Sequence, residues 1–377
     1  MNYYKNNKKV IYRGNISRSL KPLLNILMYF GCALGFLFIS AYLILGKGNG
    51  SFGKENNNSI DKSSDKVISE ENQAKETMSN NGKTNSNFNL KVDVIKVYLT
   101  KEGRIVDVPL EEYIKGVISS EMPVTFELEA LKAQAIAART YTIAHTKAMG
   151  GACKEAKGAD LCDTIHCQVY MNKAARLKAW GVGGEKNWEK IEQAVDETKS
   201  MVLTYGGELA KGAYYFSTSS GKTENVEEVF VSALPYLRSV DSPGEEVAPK
   251  YNSVVTIPYA KFAATINNEY KDAKVSASNL SSQVKIKSRT EGGSVKEITL
   301  GNITIPGTKF RSLFGLNSAN FNIEILSKEV VVKCTGYGHG VGLSQWGANI
   351  MAKSGKKYNE ILSHYYTGIE IKAVNQP

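Results

Sequence analysis

Apolar and polar residues alternate in "KVDVIKVYL" (91–99), a period of two that predicts a half-buried strand. The polar "KEGR" turns the chain into "IVDV" (105–108), which makes the pair a hairpin. The period then changes. After Pro109, "LEEYIKGVISS" sets Tyr113 and Val117 four residues apart, suited to a short helix. Residues 127–149 carry the strongest helical pattern in the chain, with Ala at 130, 133, 135, 137, 138, 144 and 148. Side chains this small let other backbone approach closely, so this helix is expected to be central and buried. Residues 150–186 read as Gly-rich and irregular, and 188–198 as a helix with Ile191 and Val195 on one face. A hairpin through Gly206-Gly207 follows, then a Ser/Thr/Gly loop. Beyond Pro243 the pattern predicts a helix near 258–268, strands near 283–289 and 295–300, and a small helix near 308–314. "NIEIL" and "EVVVKCTG" read as another strand pair, followed by helices at about 344–354 and 358–366 and a last strand near 368–374. Strands and helices mix without a regular βαβ alternation and without a repeat, so the class is α+β.

Charge divides the chain differently. The formal net charge is +10 over 377 residues, but residues 1–47 hold seven basic residues and no acid, which leaves +3 for the other 330. The folded part therefore lacks the basic stripe that a nucleic-acid partner needs. Residues 22–46, "PLLNILMYFGCALGFLFISAYLILG", contain no Asp, Glu, Lys, Arg or His. That is long enough to cross a hydrocarbon core of about 30 Å. The basic residues precede it, so residues 1–21 are expected in the cytoplasm, 22–46 in the membrane and residues 48–377 outside. A cleaved secretory signal is the rival reading, but its apolar core is normally shorter and no small-x-small site follows closely. Residues 47–89 are rich in Asn, Ser, Lys, Gly and Glu without apolar periodicity, as in a solvated tether. Folded sequence is expected from 90 to 377.

Four stretches carry chemistry. In "SSEMPVTFELEALKAQAIAARTYT" (119–142), Pro123 forces Met122 to be extended, so Glu121 ends one helix at a corner before the next. Glu121 either solvates a loop or is held there to move a proton. Lys132 and Arg139, seven apart on the Ala-rich helix, either form a solvated stripe with Glu127 and Glu129 or take a buried or cleft-lining role. "YYFSTSSGKTENVEEVF" (214–230) gathers Ser217, Ser219, Ser220, Thr223 and Glu224 beside Tyr214 and Tyr215; it suits sugar hydroxyls and ring faces, or is a polar turn. "CTGYGHGVGLSQWGA" (334–348) has Gly at 336, 338, 340 and 342 around His339, which permits close backbone approach to a ligand or a tight bend on the core; it fits neither a phosphate loop nor a Rossmann fingerprint. In "CKEAKGADLCDTIHCQVY" (153–170), Cys153, Cys162 and Cys167 supply three thiolates for a tetrahedral zinc, with His166 as a further donor hampered by its adjacency to Cys167. A disulfide or buried free thiols are the alternatives.

Taken in order, "YIKGVISSEMP", "EALKAQAIAARTY", "HCQVY", "YYFSTSSGKTE", "LPYL" and "GHGVGLSQWGA", together with the closing "YNEILSHYYTGI", resemble the stage II sporulation protein D (SpoIID) family of endospore-forming bacteria. The resemblance implies a membrane-anchored lytic transglycosylase with a glycan-binding groove. Such an enzyme cuts the β-1,4 bond after N-acetylmuramic acid without water and leaves 1,6-anhydro ends. It implies Glu121 as the catalytic acid. It implies a groove lined by Ser219, Ser220, Thr223, Glu224, His339, Ser344 and Gln345, with Gln168 and Tyr170 beside them. Lys132 and Arg139 would then contact substrate or steady the reacting sugar. Cys162 and Cys167 match cysteines that hold a structural zinc in some relatives, with Cys153 as a third ligand and no cofactor needed for catalysis. The family's setting adds peptide-stripped glycan as substrate, a partner amidase (SpoIIP), a membrane protein (SpoIIM), and the mother-cell membrane facing the engulfing septum. Three other functions compete: a binding module that stimulates a separate amidase, a hydrolase using Glu224 as second carboxylate, and a zinc hydrolase.

Overall fold

A computed structural model describes residues 92–374 apart from 152 and 231. The basic tail, the apolar stretch and the tether expected at 1–89 lie outside the described residues. Among the described residues no helix is long and apolar enough to cross a membrane.

The fold is α+β, with helices and several small sheets. Strands β1 (Val94–Leu99) and β2 (Arg104–Pro109) form the expected antiparallel hairpin, Val97 opposite Val106. Helix α1 (Leu110–Glu121) starts directly after Pro109, whose fixed φ of −53° suits a helix entrance. It stops where Pro123 holds Met122 extended, at φ −121° and ψ 143°. Helix α2 (Leu128–Ala144) then runs through the middle, with only Leu128, Glu129 and Tyr141 short of full burial. A helix apolar nearly all round must be covered on all sides. Around it pack α1, α4 (Gly184–Asp196, reached through α3, Lys173–Trp180) and β4 (Met201–Tyr205). Thr140 ties α2 to β4: its hydroxyl donates to the Ile136 carbonyl at 2.7 Å and accepts the Leu203 N–H at 2.9 Å.

The short β3 (Leu161–Cys162) lies parallel to β1, completing the sheet β2-β1-β3. β5 (Glu208–Leu209) turns back on β4 through Gly206-Gly207, and β6 (Tyr215–Phe216) follows. After about residue 251 the chain leaves this core and builds a second one. β7 (Asn252–Pro258), α5 (Tyr259–Glu269), β8 (Val284–Arg289), β9 (Val295–Leu300), β10 (Ile303–Pro306), α6 (Gly307–Phe314), β11 (Phe321–Ile325) and β12 (Glu329–Thr335) form sheets β10-β9-β8 and β11-β12-β7. Their buried side chains make a separate apolar cluster centred on Phe262, Phe310 and Phe321. The chain then returns to the first core through β13 (Leu343–Ser344), which pairs with β6, α7 (Gln345–Lys353), α8 (Tyr358–Tyr365) and β14 (Glu370–Ala373), which closes the sheet β14-β4-β5. Among the described residues, the stretch expected to fold from 90 onward thus holds two large apolar cores, the second inserted into the first, and a small third cluster of Ala156, Ala159 and Cys162.

Candidate active site

Glu121 is the last residue of α1, half-buried at the α1–α2 corner. Its Oε1 accepts the Val169 N–H at 2.9 Å, and its Oε2 faces the Gln345 amide nitrogen at 3.4 Å. Burial pushes its pKa up, and the two donors only partly offset this. Tyr215 lies close enough that the Glu121 charge adds to burial in raising its phenol pKa. The corner therefore presents one carboxyl whose pKa lies above the ordinary carboxylate value.

The Ser/Thr loop and the Gly-rich segment meet. Thr218 bridges to Tyr337 and Glu224 to Val341, with the Glu224 N–H on the Gly340 carbonyl at 2.8 Å. Positive φ values at Gly338 (121°) and Gly342 (77°) are open to Gly at little cost, and a Cβ on Gly338 would sit 2.8 Å from the Phe216 Cβ. The alternating glycines thus serve close packing of this segment on the loop. A small crevice there is lined by Thr218, Ser219, Ser220, Glu224 and His339, joined by Ser294 and Ser318 from the inserted unit. Several expected groove residues turn inward. Thr223 takes the Val240 N–H at 2.9 Å, Ser219 takes the Gly221 N–H at 3.2 Å, and Ser220 takes the Asn320 amide at 2.9 Å. His339 donates from Nε2 to the Tyr215 carbonyl at 3.0 Å and accepts the Val341 N–H on Nδ1. Burial, with the Arg311 charge adding to it, pushes this imidazole down to about 4, so it is a neutral clip between β6 and the Gly-rich segment near pH 7. Glu224 is 2% exposed and accepts the Ser294 N–H at 3.2 Å, which leaves it poorly placed to activate a water as a second carboxylate. Gln168 is also buried, holding the hydroxyls of Thr142 and Tyr215 at 2.7 and 2.8 Å, while Tyr170 stacks on Tyr113.

Lys132 and Arg139 do not face that crevice. Lys132 is buried and paired with Glu129 at 2.9 Å and Glu197 at 2.5 Å, so it belongs neither to a solvated stripe with Glu127 nor to the crevice. Arg139 has no exposed surface. It forks onto Glu111 at 2.7–3.2 Å and donates to the Met201 carbonyl at 3.0 Å, so direct contact with a substrate is closed to it. Removing one partner of such a buried pair leaves the other uncompensated. Arg139→Ala is expected to lower stability by about 3–5 kcal/mol, read as a shift of the urea midpoint.

The donors of Cys153, Cys162, His166 and Cys167 lie within 4.8 Å of one another. Cys167 Sγ is 3.2 Å from Cys153 Sγ and 3.5 Å from Cys162 Sγ, and His166 Nδ1 is 3.4, 4.0 and 3.6 Å from the three sulfurs. Metal–sulfur bonds of about 2.3 Å at tetrahedral angles put sulfurs roughly 3.8 Å apart, so the set fits a closed Cys₃His site with modest expansion. The adjacency of His166 and Cys167 is no obstacle: the turn closed by the Cys167 N–H on the Thr164 carbonyl aims both inward. None of the four described cysteines is disulfide-bonded; Cys334 lies apart, in the second core. Two residues past Cys167 comes Val169, whose N–H holds Glu121.

Sequence reasoning passed over Glu245, Ser294, Ser318 and Asn320. The last three come from the inserted unit, and Glu245 belongs to an acidic pair after a Pro-Gly turn that nothing in the pattern marks as buried.

An α+β core carrying one half-buried carboxyl at a helix corner, beside a cysteine–histidine cluster, is the protein class that these features define. The profile of the SpoIID family, described as stage II sporulation protein, matches residues 98–205, a span holding Glu121 and all four cluster residues. The chain is 41% identical over 277 residues to stage II sporulation protein D of Bacillus subtilis (strain 168), covering 74% of this chain and 78% of that one. It is 39% identical to the protein of that name from Bacillus amyloliquefaciens over the same shares. To a Bacillus subtilis protein named amidase enhancer it is 28% identical over 302 residues, 68% of this chain and 39% of that one. The chain belongs to the stage II sporulation protein D family.

Proposed function

We propose that this chain is a lytic transglycosylase of the cell wall. The observation that carries the reading is the placement of Glu121, a single carboxyl held at a helix corner between the Val169 N–H and the Gln345 amide, with burial raising its pKa in the direction that a general acid requires. Protonated Glu121 gives its proton to the glycosidic oxygen as the bond to C1 of N-acetylmuramic acid breaks. The resulting carboxylate takes the proton of that sugar's own 6-hydroxyl as its oxygen closes on C1. The proton removed replaces the proton given, no water is consumed, and a second carboxylate is unnecessary. The Val169 N–H and the Gln345 amide steady the carboxylate in the second half of the cycle. Ser219, Ser220, Glu224 and His339 shape the crevice beside Tyr215, while Gln168 and Tyr170 brace the segment behind Glu121. The substrate is glycan freed of stem peptides. The Cys153–Cys162–His166–Cys167 cluster holds a structural zinc that takes no part in the chemistry; four protein donors leave no open position for a zinc hydrolase. The chain is anchored by residues 22–46 with its folded part outside the membrane, and it works with the amidase SpoIIP and the membrane protein SpoIIM during engulfment.

The test is mass spectrometry of products from the full-length chain on peptide-stripped glycan strands. Anhydro ends are expected; ordinary reducing ends would replace the reading with a hydrolase. The similarity to a protein named amidase enhancer favours one other reading, a glycan-binding stimulator. No cleavage by the chain alone, with faster cleavage by an added amidase, would establish that reading instead.

A further inference from the structure

Glu245 follows Gly244 in a short 3₁₀ turn (Glu245–Val247) and is 1% exposed. Its Oε2 accepts two donors at 2.7 Å, the Ser219 N–H and the Ser344 hydroxyl. Its Oε1 accepts the Ser242 hydroxyl at 2.5 Å, and Ser242 Oγ in turn lies 2.7 Å from the Tyr365 hydroxyl. Burial, with the Glu246 charge adding to it, pushes this carboxyl up to about 7 despite the three donors, and a buried carboxyl is tolerated only when its oxygens are met in this way. The first turn of α7 is closed down upon it: a Cβ on Gly347 would run into the Tyr365 hydroxyl, Ser242 Oγ and Glu245 Oε1. Ser344 is the N-cap of α7, taking the Gly347 N–H at 3.3 Å. The next residue is Gln345, whose amide faces Glu121.

We infer that Glu245 is a positioning residue: one of its oxygens pins both Ser344, which sets where Gln345 meets Glu121, and Ser219, in the loop lining the crevice. The inference rests on the proposed role of Glu121. It explains why three segments far apart in sequence (217–224, 242–245 and 344–347) converge on a side chain that touches no substrate. The two donors on Oε2 require one oxygen with two acceptor sites. A Gln carbonyl oxygen supplies that, with its amide group turned to Ser242 Oγ, whose hydrogen then passes to the Tyr365 oxygen. Ala supplies nothing, and the Ser219 N–H and Ser344 hydroxyl lose their acceptor.

The experiment compares Glu245→Ala, Glu245→Gln and Ser344→Ala in the full-length chain. Two readouts are followed: anhydro-end formation against pH, and the Glu121 pKa from carboxyl NMR of protein labelled at glutamate Cδ, assigned with Glu121→Gln. The Gln345 amide favours the ionised carboxyl, so displacing it raises the Glu121 pKa and moves the alkaline limb of the rate profile to higher pH. Glu245→Ala is expected to lower kcat about tenfold, the loss of one hydrogen bond's worth of positioning, with both pKa readouts moving up. Glu245→Gln is expected to restore all three. Ser344→Ala breaks the same link with the carboxylate in place, and it carries the test if Glu245→Ala does not fold. A folded variant of either kind with wild-type kcat and an unmoved Glu121 pKa overturns the inference. If the wild type forms no anhydro ends, the transglycosylase reading fails by itself; the NMR titration still decides whether Glu245 positions Gln345 on Glu121.

Discussion

Glu121→Gln is expected to lower anhydro-end formation by about 10²–10⁴-fold, the usual contribution of a general acid–base group, while glycan binding survives. The substitution is nearly isosteric. A carbonyl oxygen can still accept the Val169 N–H, and the new amide group can face a rotated Gln345. Stability separates lost chemistry from lost structure. Burial raises the Glu121 pKa in the folded chain, so the folded state binds this proton more tightly than the unfolded state. The wild type is therefore least penalised below the unfolded value of about 4.3. It loses stability as pH rises from there to the raised native pKa, and the penalty is constant above it. Gln carries no such penalty. The variant should be at least as stable as the wild type near pH 7, and the advantage should vanish below about pH 4, as urea melts at the two pH values will show. An inactive variant that is also less stable near pH 7 would mean the damage is structural. A variant that still forms anhydro ends would remove Glu121 as the acid.

The features legible in the sequence were those that local pattern controls. The hairpin at 91–108, the corner at Met122-Pro123 and the buried Ala-rich helix all follow from spacing and from proline sterics. The helix expected to reach 149 ends at Ala144, although Ala148 prolongs the pattern. Thr146 turns its hydroxyl to the Ile143 carbonyl, and the backbone leaves the α form for a 3₁₀ turn at Lys147–Met149. Helix α3 falls inside the stretch read as irregular, because none of its residues is buried and no apolar face announces it. The inserted core was invisible for another reason. Periodicity says that Phe262 or Ile298 is buried, but not that it is buried away from α2. Arg139 shows the same limit at the site: its partner Glu111 lies 28 residues back, and only the packing of α1 on α2 brings them together.

Withdrawing metal from the cysteine cluster should have the second large effect, on stability more than on chemistry. A metal that binds only the folded chain, at a concentration a thousand times its Kd, contributes about 4 kcal/mol, or roughly 10 °C in Tm for a domain of this size. We expect one zinc per chain by elemental analysis of the full-length protein, and a loss of that order on chelation or in Cys162→Ser. The loss should be local before it is global. Cys162 anchors β3 against β1, so amide protection at Leu161 and Cys162 should fall first. Cys167 stands two residues before Val169, whose N–H favours the ionised form of Glu121. Loosening that segment should raise the Glu121 pKa further and reduce the rate without abolishing it, unlike Glu121→Gln. Complete loss in a metal-free chain that is still folded would contradict a purely structural metal. A stable chain without zinc has two readable forms. A mass lower by about 2 Da, the two hydrogens given up when a disulfide forms, would make the cluster an oxidised pair. Three free thiols here would make it a buried thiol cluster whose packing alone holds Val169 on the acid.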